Sequence, residues 1–119
     1  MSDPRIEWTV ENGVMTIQLL DRDMLCSGHD GAKALLSAAI GKDTSANVII
    51  SLRNIELIFG VGISILLAIR SELISQSRKL CLIVPSKMVA EVFEVTRLNR
   101  LLLIAGDETA ARTMLNGEG

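Results

Sequence analysis

Three nearly unbroken apolar runs, residues 48–52 (VIISL), 80–84 (LCLIV) and 101–104 (LLLI), constrain this chain more than any other feature. Each is too short for a stable helix, and a strand with so little polar alternation must be covered on both faces. Such strands belong inside a sheet that helices flank. The segments between the runs carry helical periodicity, so the strands are joined by crossovers, whose favoured right hand makes neighbouring strands parallel. The pattern predicts an α/β fold built on a mainly parallel sheet.

An antiparallel hairpin is expected ahead of it. Residues 8–11 and 14–19 are β-forming runs separated by Asn12-Gly13, and both of those turn positions tolerate positive φ. Met15, Ile17 and Leu19 make one face apolar, while Val14, Thr16 and Gln18 make the other mixed, as near a sheet edge. A first helix should start around residues 27–30, where the Ser27 hydroxyl precedes the Asp30 carboxylate at capping spacing. Ala32, Leu35, Leu36, Ala39 and Ile40 then face inward, and Gly41 ends the run.

A second helix is expected from Gly60 or Val61 to about Ser77. Its core stripe is Ile65, Leu66, Ile69 and Leu73, widened by Ile63, Leu67 and Ile74, and Arg70, Arg78 and Lys79 near its end suit the helix dipole. Pro85 stops the 80–84 strand, and Ser86 caps a third helix with Val89, Val92, Phe93 and Thr96 on one face. Gly106-Asp107-Glu108 opens a last helix with Ala111, Met114 and Leu115 inward and Asn116-Gly117 beyond its end. The result is one domain over residues 1–119, core about 6–116, with four or five strands and about four helices.

Composition narrows the function. A formal charge of −2, 3% aromatic residues and no Tyr argue against a nucleic-acid binder, which needs a basic surface and stacking platforms. The stretch IELIFGVGISILLAI, residues 55–69, holds fifteen residues with one charge, short of the ~20 that span a bilayer. The opening MSDPRIEWTV has no apolar core before its first charges, so no secretory leader is expected and the protein is placed in the cytoplasm.

Chemistry-bearing residues are sparse. His29 is the sole histidine, which precludes a multi-histidine metal site, and it reads as a surface or capping residue. Cys81 sits in a core strand, and Cys26 lies in a loop with no basic neighbour fixed by sequence to activate it. Asp21 and Asp23 flank Arg22 in a loop, and Asp107-Glu108 is explained by capping. No catalytic residue, metal or cofactor is expected. Gly60-Val61-Gly62 joins a strand to a helix, where backbone N–H groups could hold an anion. It lacks the third glycine and acidic partner of a dinucleotide fingerprint, and the Lys and hydroxyl of a P-loop. Close packing of the helix start against the sheet would also call for glycine.

The segment VIISLRNIELIFGVGISILLAIRSELISQSRKLCLI, residues 48–83, resembles the middle of STAS domains, the fold of bacterial anti-sigma factor antagonists. The likeness continues through VAEVFEVTRLNRLLLIAGDETAARTML, residues 89–115, and takes in the hairpin and first helix. In that family an Asp-Ser-Ser/Thr-Gly-Leu motif opens the second helix. Here its positions fall on Phe59, Gly60, Val61, Gly62 and Ile63, and the acidic residue at the end of the preceding strand falls on Ser51. The resemblance implies a docking surface switched by phosphorylation of the motif hydroxyl, but Gly60 has no oxygen to modify. Neither Ser51, on a strand, nor Ser64, a turn further along the helix, replaces it.

The implied function is a non-catalytic, non-phosphorylatable interaction module of bacterial signal transduction and transcription regulation. Its partner would be an anti-sigma factor, a serine kinase-like protein or another STAS protein, with no nucleic acid and no membrane insertion, and a homodimer is compatible. The expected docking surface is the 53–62 loop with flanking Ser51, Arg53, Asn54, Glu56 and Ser64, the exposed side of the 61–77 helix, and residues 22–27. The alternative is a ligand-, lipid- or nucleotide-sensing or transport-accessory domain that uses the Gly60–Gly62 helix start.

Overall fold

The computed structural model describes residues 5–26 and 30–117. Strands β1 (Ile6–Glu11) and β2 (Val14–Leu19) form the expected hairpin, with Asn12 at φ 54° and Gly13 at φ 76° in its two-residue turn. Then follow α1 (Asp30–Ile40), β3 (Asn47–Ser51), α2 (Gly60–Ser75), β4 (Leu80–Ile83), α3 (Lys87–Val95), a 3-10 turn at Leu98–Arg100, β5 (Leu103–Ala105) and α4 (Glu108–Gly117). The five strands form one sheet in the order β1-β2-β3-β4-β5, antiparallel in the first pair and parallel thereafter.

Because β2 to β5 are adjacent in chain order, three crossovers of one hand put α1, α2 and α3 on the same face. There Met15, Ile17, Leu19, Val48, Ile50, Leu80 and Leu82 meet Leu36, Ile40, Leu66, Ile69, Leu73 and Phe93. The opposite face is narrower: Val14, Ile49, Cys81, Ile83 and Ala105 pack on Ala111 and Leu115 of α4. The expected stripe of α2 is buried at Ile65, Leu66, Ile69 and Leu73. Ser86 accepts the Val89 N–H at the start of α3, and Asp107 accepts the Ala110 N–H at the start of α4.

Several expectations need correction. Ile74, expected in the apolar arc of α2, is 52% exposed, because it lies past the stripe that the sheet covers. Thr96 is exposed and folds its hydroxyl back onto the Val92 carbonyl at 2.6 Å. The last strand begins two residues later than expected: Leu101 sits exposed in the turn after the 3-10 segment, and β5 extends to Ala105 instead. Asn116 and Gly117 continue α4 rather than ending it. The cap expected from Ser27, and His29, lie outside the described residues.

Arg78 differs most from its sequence reading. It is buried, and its guanidinium donates to the carbonyls of Ile40 (2.9 Å) and Ala46 (2.5 Å) and to the Gln76 side chain (2.8 Å). It thus ties the C-terminal end of α1 and the loop before β3 to the end of α2. Burial holds its pKa below the usual arginine value, and Asp43 opposes that shift. Ahead of it, Ser77 at φ 59° closes α2: its N–H bonds Ile74 O, and Arg78 N–H bonds Leu73 O.

Candidate functional site

The loop between β3 and α2 alternates. Ile55 and Ile58 point into the core, while Glu56, Leu57 and Phe59 point out, with Leu57 48% and Phe59 55% exposed. Backbone and side-chain bonds hold the loop against the end of β2 and the β2–α1 connection. Phe59 N–H donates to Leu25 O at 3.1 Å, Glu56 N–H to Arg22 O at 3.3 Å, and the Asn54 amide to Leu19 O at 3.1 Å. The Cys26 thiol donates to Leu57 O at 3.2 Å. Two buried side chains and four hydrogen bonds therefore fix a short loop whose remaining residues are displayed.

The two glycines at the helix start differ. A Cβ on Gly62 would lie 2.6 Å from Leu25 Cβ and 3.0 Å from Ile58 Cγ1, and closer still to the Leu25 carbonyl oxygen. Gly62 is therefore required by the close approach of α2 to the β2–α1 connection. A Cβ on Gly60 would meet nothing within 4 Å, and its φ is not in the left-handed region. Phe59 is the N-cap residue with extended φ and ψ, no side chain caps the helix, and no acidic residue stands in its first turn.

The site residues expected from sequence separate into two groups. Phe59, Gly60 and Val61 are exposed together at the start of α2, and Ser64 is exposed one turn on. Gly62 and Ser51 are buried, and Ile63 is half-buried against the core. The Ser51 hydroxyl accepts the Arg53 N–H at 3.4 Å, which turns the chain out of β3. Glu56 reaches Arg22 at 3.9 Å with both side chains largely exposed, an ion pair of little energetic weight. Ser27, the last residue of the expected surface, is outside the described residues.

Sequence reasoning did not single out Leu57 or Met88. Met88, in the first turn of α3, is 68% exposed and lines a shallow groove with Arg53, Ile55, Glu56, Leu57 and Ser86. The available signal was spacing: Met88 stands off the Val89/Phe93 stripe, and IELIF cannot bury all four of its apolar residues from one side. With Phe59 and Val61 (37% exposed), the end of the molecule around the α2 start presents large apolar side chains.

Little here could do covalent chemistry. Burial pushes the Cys26 thiol up, with Asp23 adding to the shift, and burial pushes Cys81 up to about 11, so both thiols stay protonated near neutrality. Asp21 lies below the usual carboxylate range because the Arg5 side chain hydrogen-bonds it, at 3.0 Å through Nη2. Among the described residues, no group of three or more His, Cys, Asp or Glu is placed to hold a metal ion, and no helix is long and apolar enough to cross a membrane.

No curated protein sequence matches the chain. Its fold is similar to that of an anti-sigma-factor antagonist (STAS) domain protein from Planctomyces limnophilus, at 18% identity over 92% of this chain and 97% of that one, TM-score 0.77. It is also similar to an anti-sigma factor antagonist from Mycobacterium paratuberculosis (17% identity, 94% and 93% covered, TM-score 0.73). A third is the phosphorylated form of the Bacillus cell fate determinant SpoIIAA (21% identity, 93% and 98% covered, TM-score 0.61). The family model for the STAS domain matches residues 5–111, which takes in every strand, the first three helices and the start of α4. On that match, joined to the sheet order and the helix placement, this chain belongs to the STAS domain family.

Proposed function

We propose that this chain is a non-catalytic protein-interaction module of bacterial regulation whose docking face is the α2 start, and that it works without a phosphorylation switch. The observation that carries the reading is the exposure of Leu57, Phe59 and Val61 on a loop pinned by Ile55, Ile58 and Gly62. Rigid, exposed apolar side chains of this kind are suited to burial against a partner surface. The Bacillus relative has been seen phosphorylated and unphosphorylated. Here the position matched to the family's modifiable hydroxyl is Gly60, and residues 59–63 contain no hydroxyl at all. The partner is an anti-sigma factor, a serine kinase-like protein or another STAS protein that binds this face constitutively. Apolar Phe59 and Val61 beside the helix N-terminus make it a poor seat for an anion or a nucleotide, so docking is preferred to ligand sensing.

The test is to isolate the partner from native cells, then measure its affinity for wild type, Phe59→Ala, Gly60→Ser and Gly60→Asp. Phe59→Ala and Gly60→Asp should each weaken binding about tenfold or more, the first by losing apolar contact and the second by charging the interface. Melting temperatures should stay within about two degrees, because the Gly60 site has open space. Gly60→Ser should bind as wild type and become a substrate for a cognate kinase. Unchanged affinity in both Phe59→Ala and Gly60→Asp, with the fold intact, refutes this face.

A further inference from the structure

The two edges of the sheet are unlike. β5 is three residues long and follows a 3-10 turn, a short edge that offers little to pair with. β1 is six residues long, in unbroken register with β2, and exposed from Glu7 to Glu11. It contains no Pro, Lys or bulge, three of the features that keep an edge from pairing, and its two charges, Glu7 and Glu11, stand on the α4 face. Among the described residues no strand pairs with its outer side.

The backbone of β1 shows which residues offer that side. Leu20 N–H bonds the Arg5 carbonyl at 3.0 Å, and Arg5 is opposite Leu20 by continuation of the register. In an antiparallel ladder, residues alternate between pairs that exchange hydrogen bonds and pairs that do not. Arg5, Glu7, Thr9 and Glu11 therefore direct their backbone groups to β2, and Ile6, Trp8 and Val10 direct theirs outward. The same three residues place their side chains on the α1–α3 face, where Trp8 and Val10 are each 39% exposed.

We propose that β1 pairs antiparallel with β1 of a second copy of this chain, centred on Trp8, so that two sheets continue as one. Outward backbone groups must meet outward ones, which restricts a two-fold pairing to centres on an even- or odd-numbered residue rather than between residues. A centre on Glu7 sets Glu7 against itself, and a centre on Thr9 sets Glu7 against Glu11 twice, both unfavourable. Centres on Ile6 or Val10 leave half of the strand or more unpaired. The Trp8 centre opposes Trp8 with Trp8, Ile6 with Val10, Glu7 with Thr9 and Arg5 with Glu11.

That last pair completes a charge ladder. Arg5 already binds Asp21 at 3.0 Å, and Glu11 lies 3.7 Å from Arg112, with the Arg5 and Glu11 side chains 66% and 73% exposed. Across the junction the charges would run Asp21, Arg5, Glu11 of the second copy, then its Arg112, each beside its opposite. Guanidinium groups have donors enough for two carboxylates.

Sedimentation over a concentration series tests the proposal, with the emission of Trp8, the only tryptophan, as a second reading of the junction. Wild type should dimerise reversibly with a change in Trp8 emission. Val10→Pro removes an outward N–H while sparing the β2 ladder, and should leave a folded monomer. Arg5→Glu and Glu11→Arg should each weaken the dimer about tenfold by opposing like charges twice, and their equimolar mixture should restore it as a heterodimer. Should Arg5→Glu unfold, Val10→Pro and Glu11→Arg still decide the outcome. A monomer up to about millimolar concentration overturns the proposal. So does a dimer indifferent to Val10→Pro or Glu11→Arg, or a mixture of folded charge variants that recovers nothing.

Discussion

Replacing each glycine of the α2 start by alanine separates what holds the proposed docking loop from what it displays. At Gly62 the new methyl would lie 2.6 Å from Leu25 Cβ, roughly 1 Å inside an ordinary carbon–carbon contact of ~3.5–4.0 Å. Leu25 is fully buried, and its carbonyl holds Phe59 N–H at 3.1 Å, so it cannot retreat without loosening the loop. Overpacking of this kind costs about 1–3 kcal/mol, and a strained hydrogen bond about 0.5–1.5 kcal/mol more. Alanine's helix preference over glycine returns about 0.5–1 kcal/mol. A net loss of about 2 kcal/mol should appear in urea denaturation, lowering the melting temperature by roughly 6–10 °C for a chain this size. Gly60→Ala, with nothing within 4 Å, should change stability by less than about 0.5 kcal/mol. Gly62→Ala should also weaken partner binding by displacing Phe59, and Gly60→Ala should not. A Gly62→Ala protein as stable as wild type would refute the close approach of α2 to Leu25.

Four other outcomes are expected. Leu66→Ala, at a fully buried position in the α2 stripe, should cost about 2–5 kcal/mol in chemical denaturation. Arg78→Ala strips the Ile40 and Ala46 carbonyls of a charged donor and should cost roughly 3–5 kcal/mol, with Arg78→Lys recovering only part. Ser77→Gly relieves a side chain held at φ 59° and should raise stability by roughly 0.5–1 kcal/mol, read as a higher urea midpoint. The Cys81 thiol is raised from 9.0 to about 11 on folding, so the unfolded chain loses its proton first; stability should fall as pH rises from 9 to 11, and Cys81→Val should make that fall shallower, leaving the share of Cys26, whose thiol is also raised.

The fold was legible wherever a local rule had no competitor. Asn12-Gly13 between β-formers admits little but a hairpin, and the runs at 48–52 and 80–84 are strands because their neighbours on both sides are helices. The last strand was misplaced because LLLI says how apolar a segment is and not where it starts. Arg97 at φ 62° and the 3-10 turn carry Leu101 past the sheet before pairing begins. Arg78 was illegible for a different reason. A basic residue after a helix suits the helix dipole anywhere, while its partners at Ile40 and Ala46 stand 38 and 32 residues away and become neighbours only in the folded chain.

At the candidate site, packing separates the roles of loop residues that the sequence reading had grouped together. Gly60 and Gly62 read alike in a string, yet one faces open space and the other the wall formed by Leu25 and Ile58. The frame of the loop rests on Ile55, Ile58, Gly62 and backbone bonds from Phe59 and Glu56 to the 22–25 segment. None of these contacts is made by a side chain of residues 59–61. On the proposed docking face, burial of Phe59 would answer to contact area and not to a phosphate's charge. Complex formation by this chain should therefore depend weakly on ionic strength and not at all on kinase activity, whereas a complex governed by a motif phosphate would depend on both.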